Sequence, residues 1–238
     1  TSFYFGIAYT EGLFLLLLVL SFYCARIGKW WWAGIFGALA SYTRLAGIFL
    51  LPALLIEFWQ QTKISNFKFQ ISNLAPLLLI PLGLLCYMWY LWNSTGDPLA
   101  FIHVQKLFGQ ERSDQLIMLY QVFWRYIKMV WTMDRSTPLF LTIIFELSTA
   151  VLFLFTSLWS FKTTRLSYAI FSFLAYFVPT LTGNFASMPR YILVCLSSFV
   201  LIGQSMIKYP MIKFIYISVC LLLTFIFLSL FSRGYWVA

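Results

Sequence analysis

Long apolar runs, broken by single charged residues, dominate this sequence. A membrane-crossing helix needs roughly 20 mainly apolar residues. Runs of that kind stand at about 6–25, 74–93, 138–160, 166–183, 190–207 and 211–231. The stretch 30–59 is too long for one untilted crossing. It carries Thr43-Arg44 near its middle, with Gly47 just beyond.

The loops decide how that stretch divides. Lys and Arg concentrate in the short cytoplasmic loops of membrane proteins. As a single span, 30–59 would set Arg26 and Lys29 opposite Lys63 and Lys68, and opposite Lys162, Arg165, Lys208 and Lys213 as well. Broken at Thr43-Arg44 into short helices at about 30–42 and 45–59, it puts all of these bases on one face. The expected fold is therefore all-α, a polytopic transmembrane helical bundle of about eight membrane segments. Two of these are short half-helices, and the whole of 1–238 reads as a single transmembrane domain.

The half-helices reach only about 20 Å each, against about 30 Å of hydrocarbon. Arg44 is then expected below the outer surface. Non-helical backbone at that depth is buried in protein or lines a wet cavity. A charge there is a functional candidate; a structural arginine paired with carbonyls or an acid is the alternative. The face opposite the basic loops holds Tyr9-Thr10-Glu11, Arg44, the loop 94–137, the loop 184–190 and the tail from Arg233. Within 116–131, large apolar residues alternate with Arg125 and Lys128, as in a helix lying in the membrane interface.

Composition agrees. Of the 238 residues, 62% are hydrophobic and 10% charged, where soluble domains carry about 25% charged residues. The mean hydropathy is +0.86. The net charge of +9 comes from bases scattered singly between apolar runs. That pattern fits orientation in a membrane and gives no basic stripe for nucleic acid. Cys24, Cys86, Cys195 and Cys220 lie in apolar runs without C-x-x-C spacing, and with one His there is no metal-ligand cluster. The chain opens Thr1-Ser2-Phe3 without Met or a basic leader and reads as a segment of a longer protein.

A few polar residues need a reason. Glu11 opens the first span, where the helix dipole favours an acid; facing an outer cavity is the other option. Pro189 suits the first helical position, which would set Arg190 in a first turn, where the dipole disfavours a cation and an anionic partner would help. Glu146 stands about two turns into its span with its role open. No Walker loop, G-x-S-x-G, H-E-x-x-H or GxGxxG occurs.

Three stretches look familiar together: AYTEGLFLLLLVLSFYCARIGKWWWAGIFGALASYTRLAGIFLLPALLIEFW, GDPLAFIHVQKLFG and SMPRYILVCLSSFVLIG, followed by RGYWVA at the end. In that order they resemble the GPI mannosyltransferase II (PIG-V-like) family of GT-C membrane glycosyltransferases and its bacterial relatives. The resemblance implies a multi-pass enzyme that moves a sugar, typically mannose, from a polyprenyl-phosphate donor to an extracytoplasmic glycan or lipid acceptor. No cofactor beyond the donor is expected, and the residues offer neither a metal-ligand cluster nor a basic stripe for a nucleic-acid partner. The enzyme's membrane would be the cell membrane in a bacterium and the endoplasmic reticulum membrane in a eukaryote.

Such enzymes carry their catalytic acid in the first outer loop, a region expected upstream of Thr1. The segment alone is therefore expected to be inactive, with Glu11 the candidate catalytic residue within it. Arg44 and Arg190 are the implied donor-phosphate ligands, since guanidinium forks suit phosphate, and are expected to approach one another across an outer cavity. Tyr9, Thr10, Thr43, Asp97, Pro98 and Tyr191 are the other family-motif positions. A transporter or flippase for a lipid-linked or anionic solute is the alternative. Transporters often show paired, matching interrupted helices, and only 30–59 reads as interrupted here.

Overall fold

A computed structural model describes residues 10–64, 74–104, 117–135 and 137–233. Every regular element among them is helical, and no strand occurs among the described residues. The helices are α1 (Glu11–Arg26), α2 (Trp30–Thr43), α3 (Leu50–Ile64), α4 (Leu79–Thr95), α5 (Ala100–His103), α6 (Leu119–Thr132), α7 (Pro138–Thr163), α8 (Leu166–Thr180), α9 (Met188–Tyr191), α10 (Leu196–Lys208) and α11 (Pro210–Ser232). Tight 3₁₀ turns at Leu45–Phe49 and Ala75–Leu78 lead into α3 and α4.

Four helical stretches are long and apolar enough to cross a membrane: Leu45–Thr62, Ala75–Thr95, Leu139–Thr163 and Pro210–Ser232. A fifth is counted if Met188–Val194 and Leu196–Lys208, bent by 80° at Cys195, form one span. This is a membrane protein by its helices. The count expected from the loop charges is larger, because it includes α1, α2 and α8, of 16, 14 and 15 residues. The outward apolar surface has the same meaning. On α11, Met211, Phe214 and Phe225 are each about three-quarters exposed, a face that water would not tolerate and lipid does.

The described residues divide into two compact units, the first of 10–64, 74–104 and 165–171 and the second of 117–135, 137–164 and 172–233. In the first unit the stretch 30–59 is broken where the sequence places the break. Helix α2 ends at Thr43, and Arg44 is extended (φ −151°, ψ 141°). The chain then turns back. Trp30 at the start of α2 meets Phe58 late in α3, ring to ring at 5.0 Å. Gly47 lies so close to the Ala40–Ser41 backbone that an added Cβ would come within 2.4 Å of it. The second limb is not the short half-helix expected. It runs on to Ile64, because Gln60, Gln61 and Thr62 extend the helix past the apolar run.

Close contact between α2 and α4 holds this unit. A Cβ on Gly34 would lie 2.1 Å from the Pro76 carbonyl oxygen, and one on Gly83 would lie 2.0 Å from that of Ala38. Without a hydrophobic drive between helices in lipid, small residues that let backbones approach are what packs them. Around α1, Phe22 takes edge contacts from Tyr168 and Phe171 at the start of α8.

The second unit is built on α6 and α7. Val122 and Tyr126 of α6 are buried in a cluster with Ile143, Ala150, Phe153, Tyr176, Phe185 and Met188. The stretch 116–131 is helical from Leu119, with Val122 and Tyr126 turned inward and Arg125 and Lys128 exposed beside Tyr120, Trp124 and Trp131. The expected straight span 190–207 is corrected. Cys195 leaves the helical region (φ −74°, ψ 73°). The Ser197 amide, freed by the bend, donates to Ser172 Oγ at 3.0 Å, and the Cys195 thiol points to the Ser172 carbonyl. Pro189 stands in the first turn of α9, as its missing N–H favours.

Candidate functional site

Among the sequence-selected residues of the first unit, Glu11 and Arg44 come together. Glu11 Oε1 and Arg44 Nη1 are 2.8 Å apart, with the Glu11 side chain fully buried and that of Arg44 15% exposed. Glu11 stands in the first turn of α1, where the helix dipole already favours its charge. Arg44 caps α2 at the point of chain reversal, and its guanidinium stacks over the buried Phe14 ring at 5.9 Å. A buried pair of this kind is held by its geometry, and loss of either partner strands a charge. The Glu11 carboxylate meets a guanidinium inside the protein.

Thr43 Oγ1 donates to the Ala40 carbonyl at 2.8 Å and tightens the end of α2. Thr10 precedes α1 and is exposed. Tyr9 lies outside the described residues. Asp97 and Pro98 form the turn after α4, where Gly96 takes φ +77° and the Leu99 amide donates to Asp97 Oδ1 at 2.9 Å. His103 Nδ1 lies 2.6 Å from Asp97 Oδ2. That contact, with the Leu99 amide, holds the Asp97 carboxyl below its ordinary pKa.

A second buried acid escapes a reading of the sequence. Glu57 on α3 is fully buried and gathers four donors. Arg165 reaches Oε1 at 2.8 Å and Arg26 reaches it at 3.3 Å; Gln61 reaches Oε1 at 3.0 Å, and Ser167 Oγ donates to Oε2 at 2.6 Å. Arg26 and Arg165, which the loop-charge argument puts on one face, thus meet on one carboxylate. Their partner lies 31 and 108 residues away in sequence, so no local pattern marks it.

In the second unit Arg190 and Tyr191 lie on the one-turn helix α9, both partly buried. Arg190 belongs to a different unit from Arg44. Beside α9 stands Glu146 of α7, 5% exposed. Tyr126 donates its hydroxyl to Glu146 Oε2 at 2.8 Å, and the Ser187 amide donates to Oε1 at 3.3 Å. The same Tyr126 oxygen accepts the Phe185 amide at 3.1 Å. Glu146 lines a cleft of about 270 Å³ together with Arg125, Tyr126, Asn184 and the apolar Leu139 and Ile143. Arg125 Nη1 donates to the Gly183 carbonyl at 3.3 Å. In the sequence, the available signal was an acid inside an apolar run, which in lipid demands a partner.

Among the described residues, no group of three or more His, Cys, Asp or Glu side chains is placed to hold a metal ion. In comparisons with known proteins, no family model matches, and neither a curated protein nor a solved structure is significantly similar.

Proposed function

We propose that this chain is the membrane-embedded part of a glycosyltransferase of the GT-C type, which moves a sugar, mannose or a close relative, from a polyprenyl-phosphate donor to an extracytoplasmic glycan or lipid acceptor. The observation that carries the reading is Arg44. A largely buried arginine stands where two antiparallel helices meet, inside the longest of the stretches that resemble mannosyltransferases. A lipid-phosphate leaving group gathers charge as the sugar–phosphate bond breaks, and a preorganised guanidinium in a dry setting stabilises it. Arg190, Asp97, Pro98 and Tyr191 enter the proposal as motif positions of the same resemblance. The proposed arrangement has eight membrane segments, with the loops at Arg26/Lys29, Lys63/Lys68, Lys162/Arg165 and Lys208/Lys213 in the cytoplasm. The membrane is the cell membrane of a bacterium or the endoplasmic reticulum membrane of a eukaryote.

The bend at Cys195 adds a second interruption, the feature that would favour a transporter. The two interruptions differ in kind. The break at Arg44 reverses the chain, whereas the other bends it by 80°. They are not matched copies, and the transferase reading stands first. The test is a transfer assay on the purified full-length protein with polyprenyl-phosphate mannose and a panel of glycan and lipid acceptors. Transfer of labelled sugar supports the reading. Movement of the intact donor across proteoliposomes without transfer replaces it with the transporter.

A further inference from the structure

We propose that the cleft formed by α6, the early turns of α7 and the segment 183–187 binds a neutral, hydroxyl-rich ring, a sugar subsite with Glu146 as its anchoring acceptor. The inference deepens the glycosyltransferase reading and rests on it only for the ligand's being a sugar.

Size comes first. The cleft holds about 270 Å³, just under the roughly 300–1,000 Å³ of pockets for drug-sized ligands. One ring fits there, and a polyprenyl chain does not. Chemistry comes next. A carboxylate is an acceptor-only group with about four lone-pair sites, and hydroxyls are the donors a sugar supplies. Glu146 is 5% exposed yet lines the cleft, and the Tyr126 hydroxyl and the Ser187 amide hold it in place. Leu139 and Ile143 offer an apolar wall for the C–H face of a ring, and Asn184 adds an amide.

Charge gives phosphate no net attraction. Among the lining residues the exposed Arg125, which donates to the Gly183 carbonyl at 3.3 Å, and the Glu146 carboxylate carry opposite charges. Backbone conformation is the fourth observation. Ser187, whose amide orients Glu146, adopts φ +65° and is the non-glycine residue with positive φ among those described. Backbone held in this region by its surroundings clusters at ligand sites.

The experiment is ligand-observed saturation-transfer NMR on the full chain, purified in a detergent without a sugar head group, with methyl α-mannopyranoside as probe and inorganic phosphate as competitor. Transfer to the ring protons is expected in the wild type, undisturbed by phosphate. Thr142→Phe, which fills the cleft from α7, should abolish it. Glu146→Gln should weaken binding at least about tenfold, the loss of charge-assisted hydrogen bonds. Thermal unfolding of each variant checks its fold, and Thr142→Phe decides the matter if Glu146→Gln does not fold. An absent signal in the wild type, equal signals from wild type and folded variants, or displacement by phosphate overturns the proposal. Sugar transfer by an enzyme whose cleft fails this test leaves the glycosyltransferase reading intact and removes the subsite.

Discussion

Two fully buried glutamates of the first unit stand near opposite ends of α1, and they are balanced in different ways. Near the Arg26 end, Glu57 draws on two arginines, a glutamine and a serine. The two arginines are themselves 37% and 36% exposed. At the Thr10 end, Glu11 meets Arg44, a side chain only 15% exposed. The Glu57 cluster is redundant and water-backed, so losing one donor leaves others in place. The Glu11 pair carries its charges in a drier setting at a chain reversal. Redundancy is the mark of an anchor between segments distant in sequence. A charge pair placed at a break in a helix is where a mechanism can use a charge.

The largest effect that would break this comparison is on turnover. If the full-length protein is the proposed glycosyltransferase, Arg44→Ala should lower its sugar transfer per folded molecule by about 10²–10³, the usual cost of one electrostatic contact to a developing charge. Arg44→Lys should recover part of it, because an ammonium lacks the bidentate fork. Pairing Arg44→Met with Glu11→Gln should restore much of any lost stability, since the stranded charge is removed with its partner, and should leave turnover low. Wild-type transfer by the folded Arg44→Ala protein would make Arg44 an anchor like Arg165.

Glu57→Gln should show the opposite division. Transfer per folded molecule stays at the wild-type level. Stability falls by about 1.5–3 kcal/mol at most, the range for hydrogen bonds to a charged group, and by less in salt, because both arginines are more than a third exposed. Arg26→Gln or Arg165→Gln alone should cost less than Glu57→Gln, as each leaves the other donors. Thermal unfolding in lipid nanodiscs measures this series. Equal losses for all three would deny the redundancy.

Gly83→Ala probes what fixes the Arg44 end. The added Cβ would meet the Ala38 carbonyl oxygen at 2.0 Å, so α2 and α4 must part. Overpacking of this kind costs typically about 1–3 kcal/mol. The reduced thermal stability should come with a weaker transfer rate, because α2 carries Arg44 at its end. Gly96→Ala, with open space around its Cβ but φ +77°, should affect stability mildly and transfer not at all.

Much of this architecture is legible in the sequence because lipid leaves few choices. A backbone in hydrocarbon must satisfy itself as helix, so apolar run length marks α4, α7 and α11 closely. The break at Thr43-Arg44 is legible from loop charge, a property of the whole chain. The bend at Cys195 is not, since it depends on Ser172 in another helix accepting the freed Ser197 amide. Glu11 and Arg44 were each visible as charges out of place, and their pairing was one of the options. Glu57 was hidden at the end of an apolar run, its partners set by tertiary packing. The cleft at Glu146 needed the 183–187 backbone to turn, a conformation that no local pattern announces.

The smallest effect concerns an exposed acid and tests the comparison from outside. Asp97 lies in the turn after α4, where the His103 ring nitrogen and then the Leu99 amide hold its carboxyl below the ordinary value of 3.8. A carboxylate with a lowered pKa contributes stability that is fully present above its unfolded value and is lost as pH falls through the folded one. The Asp97–His103 contact should therefore persist on acidification down to about pH 4 and open only below it. Because the group is exposed, the change should stay within the turn. An NMR titration of isotope-labelled protein in detergent should show the Leu99 amide and the His103 ring shifting together in that window, and Asp97→Asn should remove the step. The melting temperature measured between pH 5 and 7 should not respond to Asp97→Asn, and transfer activity decides whether the Asp97 motif position serves the turn alone or the proposed site. A loss of activity in that variant at neutral pH would move Asp97 from a turn-forming acid to a residue of the site, beside the buried pair at Arg44.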